Sequence, residues 1–132
     1  MTSTYLGKPY YPWWRDDMAD DVTGEGAFME RVAHGAETVR SIVDTARREI
    51  YEGQEFSFAG DYGDDGFLEL YTTHVRGEPT SVVVTVTRNA AGQAQHIVVN
   101  HRPRRSVLLI SRLMSETFAG TPIAEHFITN QS

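Results

Sequence analysis

Between residues 35 and 53 the apolar side chains fall at Ala36, Val39, Ile42, Val43, Ala46 and Ile50, three- and four-residue steps that line one side of an α-helix. Glu37 near its start and Arg47 and Arg48 near its end suit the helix dipole, and Gly53 is the expected stop. Beyond Gly53 the pattern changes to β. Residues 55–59, 67–76, 81–88 and 94–102 form short runs separated by turn-forming residues at 60–66, 77–79 and 89–92. Connections this short favour an antiparallel meander, because parallel pairing needs long crossovers. Val82-Val83-Val84 and Ile97-Val98-Val99 are apolar without alternation. Both faces of the sheet are therefore expected to be covered, one by the helices and a pocket, the other by a second copy of the chain in a homodimer. After Pro103, residues Val107, Leu108, Ile110, Leu113, Met114 and Phe118 predict a second helix over 105–119, closed by Gly120 and Pro122, with 123–132 as a loosely held tail.

Ahead of the first helix the chain is aromatic: Tyr5, Tyr10, Tyr11, Trp13 and Trp14 stand among Pro9 and Pro12. Pro12 fits the first turn of a short helix over residues 12–18, with Asp16 and Asp17 on its polar side. Asp20-Asp21-Val22-Thr23, followed by Gly24 and Gly26, reads as a turn leading into a short extended piece through Phe28 and Met29.

Composition narrows the function classes. A chain of 132 residues with 40% hydrophobic content suffices for one domain around one core. Cysteine is absent, which removes disulfides, thiolate metal sites and thiol nucleophiles. A net charge of −6 disfavours nucleic acid and anionic membranes, and the cluster Arg102, Arg104 and Arg105 reads as a solvated turn. No uncharged apolar run is long enough to span a bilayer, and residues 1–7 lack the order of a secretory signal, so the expected compartment is the cytoplasm.

Three phrases in order resemble the SnoaL-like branch of the nuclear-transport-factor-two superfamily. Ala19-Asp20-Asp21-Val22-Thr23 resembles the turn that ends that family's first helix, and His34-Gly35-Ala36-Glu37-Thr38-Val39-Arg40 its glycine-started second helix. Ala91-Gly92-Gln93 is similar to the hairpin before its final strand. Together they span residues 12–103. The resemblance implies a cone-shaped α+β barrel in which a curved antiparallel sheet wraps around helices and leaves an internal pocket. The family includes polyketide cyclases, ketosteroid isomerases, scytalone dehydratases and limonene epoxide hydrolases beside pocket proteins of no known reaction, so fold alone does not fix function. Two departures stand out: the long first helix is cut to residues 12–18, and a helix follows the final strand, where it could cover the mouth or extend a dimer contact.

Enzymes of this fold work mainly by general acid–base catalysis, a carboxylate or His in an apolar pocket moving a proton beside a carbonyl while donors stabilise the enolate. In ketosteroid isomerase an Asp base works with a Tyr and a protonated Asp. The polar residues within the apolar strands here are Glu69, Tyr71, His74, His96, Asn100 and His101. Period-two alternation puts Glu69 with Tyr71, His74 with Leu68 and Leu70, Asn100 with His96 and Val98, and His101 with Ile97 and Val99. The candidate catalytic residues are His101, Asp17 and His74, with Trp13, Trp14, Phe28, Tyr71 and Asn100 as pocket lining for a hydrophobic, planar ligand. Each has a plain structural counterpart: a strand-end His bonded to backbone, a solvated Asp, an aromatic in the core. No metal is expected, since neither HxH nor HExxH spacing occurs. No cofactor is expected either, for Gly60, Gly63 and Gly66 sit among Asp61, Asp64 and Asp65, which repel phosphate, and no Gly-x-Ser-x-Gly elbow exists. Two functions remain: a cofactor-independent isomerase, cyclase or dehydratase acting on a hydrophobic carbonyl compound, and a noncatalytic binding or dimerisation module.

Overall fold

In the computed structural model, which describes residues 2–127, the meander is present as strands β5 (Gln54–Tyr62), β6 (Gly66–Val75), β7 (Glu78–Arg88) and β8 (Ala94–Arg102), each antiparallel to the next. The sheet extends beyond them on both sides. On one flank β1 (Ser3–Tyr5) pairs in parallel with β5 and carries β2 (Lys8–Pro9) as a hairpin partner. On the other, β3 (Met18–Glu25) runs parallel to β8 and carries β4 (Ala33–His34). The order is β2-β1-β5-β6-β7-β8-β3-β4, so the expected antiparallel meander is the centre of a larger, mixed and open sheet with β2 and β4 at its edges.

Register aligns three rows across the inner face: Phe67, Val86 and Ile97; Glu69, Val84 and Val99; Tyr71, Val82 and His101. Along β7 the buried positions Val82, Val84 and Val86 alternate with half-buried Val83 and Thr85, so the unbroken valine run conceals ordinary alternation. Helix α1 (Ala36–Thr45) lies against the inner face through Val39 and Ile42, as its periodicity predicts. Its last turn, Ala46–Ile50, widens into a π-turn closed by the Tyr51 amide on the Ala46 carbonyl at 2.9 Å, a device frequent at functional sites.

Several expectations need correction. Residues 12–18 form only a 3-10 turn, Trp13–Asp16, before β3 begins, and Asp20 and Asp21 lie within that strand. The β3–β8 register shifts between Met18, opposite Ala94, and Thr23, opposite His96, so β3 carries three more residues than β8 over this stretch; the irregularity bends the strand and lets two exposed aspartates sit in it. Helix α2 (Arg104–Thr117) lies away from the residues that line the cavity described below. It buries Ile110 and Met114 against the end of the cone, and its Ser106 accepts a 2.8 Å hydrogen bond from Thr80. The expected loose tail is a second 3-10 turn, Pro122–Phe127, whose Phe127 is fully buried and packs on Phe28 and Phe118; residues 128–132 lie outside the described residues. No helix among the described residues is long and apolar enough to cross a membrane.

Gly26, where β3 turns away, has no room for a side chain, because a β-carbon there would overlap the carbonyl oxygen of Val99. Gly26→Ala should destabilise the fold by about 2–3 kcal/mol, read as a fall in the urea midpoint; an unchanged midpoint would mean the β3–β8 approach is slack.

Candidate functional site

At the centre of the inner face the side chain of Glu69 lies fully buried, in one row with Val84 and Val99 and next to the row of Tyr71, Val82 and His101. Period-two geometry on β6 points it inward with Phe67 and Tyr71. Two donors reach it from the N-terminal aromatic segment: the Tyr10 hydroxyl donates to Oε2 at 2.6 Å and the Trp14 indole N–H to Oε1 at 3.1 Å. Burial raises the Glu69 pKa from 4.5 to about 7, while the hydrogen bonds from Tyr10 and Trp14 oppose the rise. The group is thus held where it can both take and return a proton near neutral pH.

Glu69 lines a narrow cavity with Trp14, Phe28, Tyr51, Gln54 and Tyr71, its apolar wall completed by Ile42, Val84 and Val99. About 40 Å³ is open to the centres of water-sized molecules, room for roughly two or three waters. A larger ligand must displace side chains at the mouth, where Pro12, Arg15 and Arg47 stand. A polar relay runs beside the carboxyl. Ser3 donates to the Gln54 amide oxygen at 2.7 Å, which leaves the amide N–H₂ for Tyr71. Burial pushes the Tyr71 hydroxyl well above the ordinary tyrosine range, and Tyr51 is also its hydrogen-bonding neighbour. Tyr51, raised to about 12 by burial, shares a 2.7 Å hydrogen bond with His101 Nε2.

The sequence-derived candidates separate here. Trp14, Phe28 and Tyr71 line the cavity. His101 has the inward face expected of it, yet it lies one row beyond Glu69, behind Tyr51 and edge-on to Phe28. Burial holds its pKa at about 4, so near neutrality it is an uncharged anchor for Tyr51 and not the base. Asp17 is exposed and follows the end of the 3-10 turn, outside the cavity. His74 is exposed on the outer face, and so is Asn100, whose side-chain oxygen accepts the Ala27 amide at 2.9 Å. Trp13 packs edge-on against Phe67 with Arg88 over its ring, outside the cavity. The sequence reading passed over Glu69 as a candidate, although its parity with Tyr71 was visible; Tyr10, Tyr51 and Gln54 gave no signal beyond being polar or aromatic.

Glu69 predicts a pH signature. A carboxyl whose folded pKa exceeds its unfolded value makes the folded state the better proton binder between the two, so its contribution to stability falls as pH rises from about 4.5 to about 7. His101 acts oppositely, its contribution being lost as pH falls from 6.5 through about 4, but that term is common to the wild type and a Glu69 variant and cancels in their difference. Glu69→Gln should therefore gain stability relative to the wild type, on the order of 3 kcal/mol, between pH 4.5 and pH 8. Urea titrations at the two ends measure it; a pH-independent difference would show that Glu69 has an ordinary pKa.

No family model matches the sequence, and no curated protein matches it. Solved structures do. A steroid delta-isomerase from Pseudomonas aeruginosa superposes with a TM-score of 0.73 at 14% identity, over 80% of this chain and 77% of that one. A cystatin-like protein conserved in bacteria, from Silicibacter pomeroyi DSS-3, gives 0.73 at 16% identity, over 80% and 74%. A protein of the SnoaL-like family from Agrobacterium tumefaciens str. C58 gives 0.53 at 12% identity, over 67% and 76%. At these identities the likeness is one of fold, and the fold of this chain is the cystatin-like, nuclear-transport-factor-two-like α+β fold that the SnoaL-like phrases of its sequence imply.

Proposed function

We propose that the protein is a cofactor-independent proton-transfer enzyme of the isomerase type, acting on a hydrophobic carbonyl compound with Glu69 as the base that removes and returns the proton. The observation that supports it most strongly is a buried, cavity-lining carboxyl with a pKa of about 7. In the proposed reaction the Glu69 carboxylate takes a proton from the carbon beside the carbonyl, and the C–H electron pair moves into an enolate. The Gln54 amide and the Tyr71 hydroxyl, which can rotate toward the cavity, donate to the enolate oxygen. Protonated Glu69 then returns the proton to the same or a conjugated carbon. Tyr10 and Trp14 keep the carboxyl aimed and stabilise its charged form. The fold shared with a steroid delta-isomerase agrees with this reading.

Exchange of α-hydrogens for deuterium in a panel of aryl ketones, followed by NMR, tests the chemistry without a known substrate. The wild type should catalyse exchange with a rate that rises through pH 7, and Glu69→Gln should lower it by about 10²–10⁴-fold. Ketones that bind without enzyme-dependent exchange would favour a noncatalytic binding module instead.

We also propose that two copies pair through the outer face of the sheet, where half-buried Leu68, Leu70, Val83 and Val98 adjoin Phe58, 39% exposed. Sedimentation should give twice the chain mass at micromolar concentration, and Leu70→Glu should return it to the chain mass. A wild-type monomer rejects the pairing.

A further inference from the structure

At the cavity mouth two guanidinium groups share one aromatic ring. Arg15 lies over Tyr11 with its central carbon 5.0 Å from the ring centroid, and Arg47 lies over the same ring at 5.4 Å. Both side chains also line the Glu69 cavity. They come from distant parts of the chain, the 3-10 turn Trp13–Asp16 and the π-turn Ala46–Ile50, so their convergence is a product of the fold. In a chain of net charge −6, a pair of arginines lining one cavity is against the prevailing sign.

The pair is under-neutralised. Among the described residues, Asp44 is the carboxylate bonded to Arg15, through the Nε and Nη2 groups, and Arg15 Nη1 is buried without a hydrogen-bond partner. Arg47 has neutral partners, the Gln54 amide oxygen at 3.3 Å and the Ser3 hydroxyl at 3.2 Å. Burial, and next the neighbouring Arg15 charge, work against the charge on Arg47, while Tyr11 and Asp44 support it. An unmet buried N–H and two adjacent cations with one counterion are what an incoming anion would relieve.

We infer that Arg15 and Arg47 form a carboxylate-binding subsite at the cavity mouth, so that the ligand is a hydrophobic acid whose apolar body enters toward Glu69 while its carboxylate stays on the guanidinium pair. The inference rests on the proposed reading of the Glu69 cavity as the ligand site and narrows its substrate class from a neutral carbonyl compound to a carbonyl-bearing acid. A planar guanidinium matches a carboxylate geometrically, and stacking on Tyr11 holds both arginines in place before the ligand arrives. Arg15 is itself fixed by Asp44, so its unpartnered Nη1 has a defined direction.

The test is calorimetric titration of the full chain with 3-phenylpropanoate and, separately, with 3-phenylpropanamide, which share a body and differ in charge. The acid should bind at least about tenfold tighter than the amide. In Arg47→Gln, folding checked by circular dichroism, the preference should fall to within about threefold. Equal affinity of the wild type for the two compounds, binding of neither, or an acid preference that survives in folded Arg47→Gln would overturn the inference. Should Arg47→Gln not fold, the wild-type comparison repeated with Arg47→Lys decides, since an ammonium keeps the charge but loses the planar fork, and an undiminished preference there would again overturn it. Deuterium exchange of neutral ketones is independent of this result: exchange without acid preference removes the subsite and leaves the proton-transfer reading, and acid preference without exchange does the reverse.

Discussion

Much of the architecture follows from burying one carboxyl group. A carboxylate taken out of water costs several kcal/mol unless it is hydrogen-bonded, and Glu69 sits at the centre of an inner face on which Val, Ile and Phe side chains surround it beside Tyr71 and His101. Its donors come from the aromatic segment that precedes the main fold. The β1–β2 hairpin delivers Tyr10, and the 3-10 turn after Pro12 delivers Trp14. That segment is anchored in turn by its parallel pairing with β5 and by the Ser3–Gln54 hydrogen bond. A stretch that resembles an irregular leader therefore supplies one wall of the cavity and stabilises the ionised base.

From the mouth inward the site is a continuous aromatic path. Tyr10 meets Phe56, Phe56 meets Tyr71, Tyr71 meets Tyr51, and Tyr51 meets His101, with ring centroids between 4.6 and 5.9 Å apart. His101 then passes to Phe28, Phe127 and Phe118, which seal the far end beneath α2. Such rings are stiff and fill space with few rotatable bonds, so the polar atoms they carry are held in place. The shortened N-terminal helix and the added C-terminal elements are two halves of one arrangement. The aromatic turn forms the mouth, while α2 and Phe127 close the opposite end.

The main elements were legible because their signals are local and periodic. The apolar steps from Ala36 to Ile50 specify α1, and the turn residues at 77–79 and 89–92 specify the β6–β7 and β7–β8 hairpins. Strand parity groups Tyr71 with Glu69 and His74 with Leu68 and Leu70 but does not say which group faces inward, and His74 and Asn100, expected at the site, lie on the exposed face. The misses have physical causes. Three residues of β1 show no alternation, and its partner β5 lies some fifty positions away, so nothing local announces the pair. Asp20 and Asp21 are strand residues only because β3 is bent by its irregular register with β8. Histidine drew the search for a base because its ordinary pKa is already near neutral, yet the burial that raises a carboxyl to about 7 lowers a histidine to about 4. In an apolar pocket the residue best suited to neutral-pH proton transfer is the one that looks too acidic in sequence.

The charges around the cavity are also sorted by depth. Arg15 and Arg47 line the same space as Glu69, but its shift arises from burial against the pull of Tyr10 and Trp14, with no guanidinium among its causes. A cation close to the carboxyl would draw its pKa back toward the ordinary range and weaken it as a base. Keeping the arginines at the mouth, stacked on Tyr11 and held by Asp44 and Gln54, leaves the interior apolar enough for Glu69 to remain basic. A ligand with an anionic end and an apolar body would meet each environment in turn, attraction at the entrance and a poised proton acceptor within. The separation between those two environments, with Arg47 in the π-turn and Tyr51 directly after it, is what lets one small cavity hold a positive rim and a basic floor.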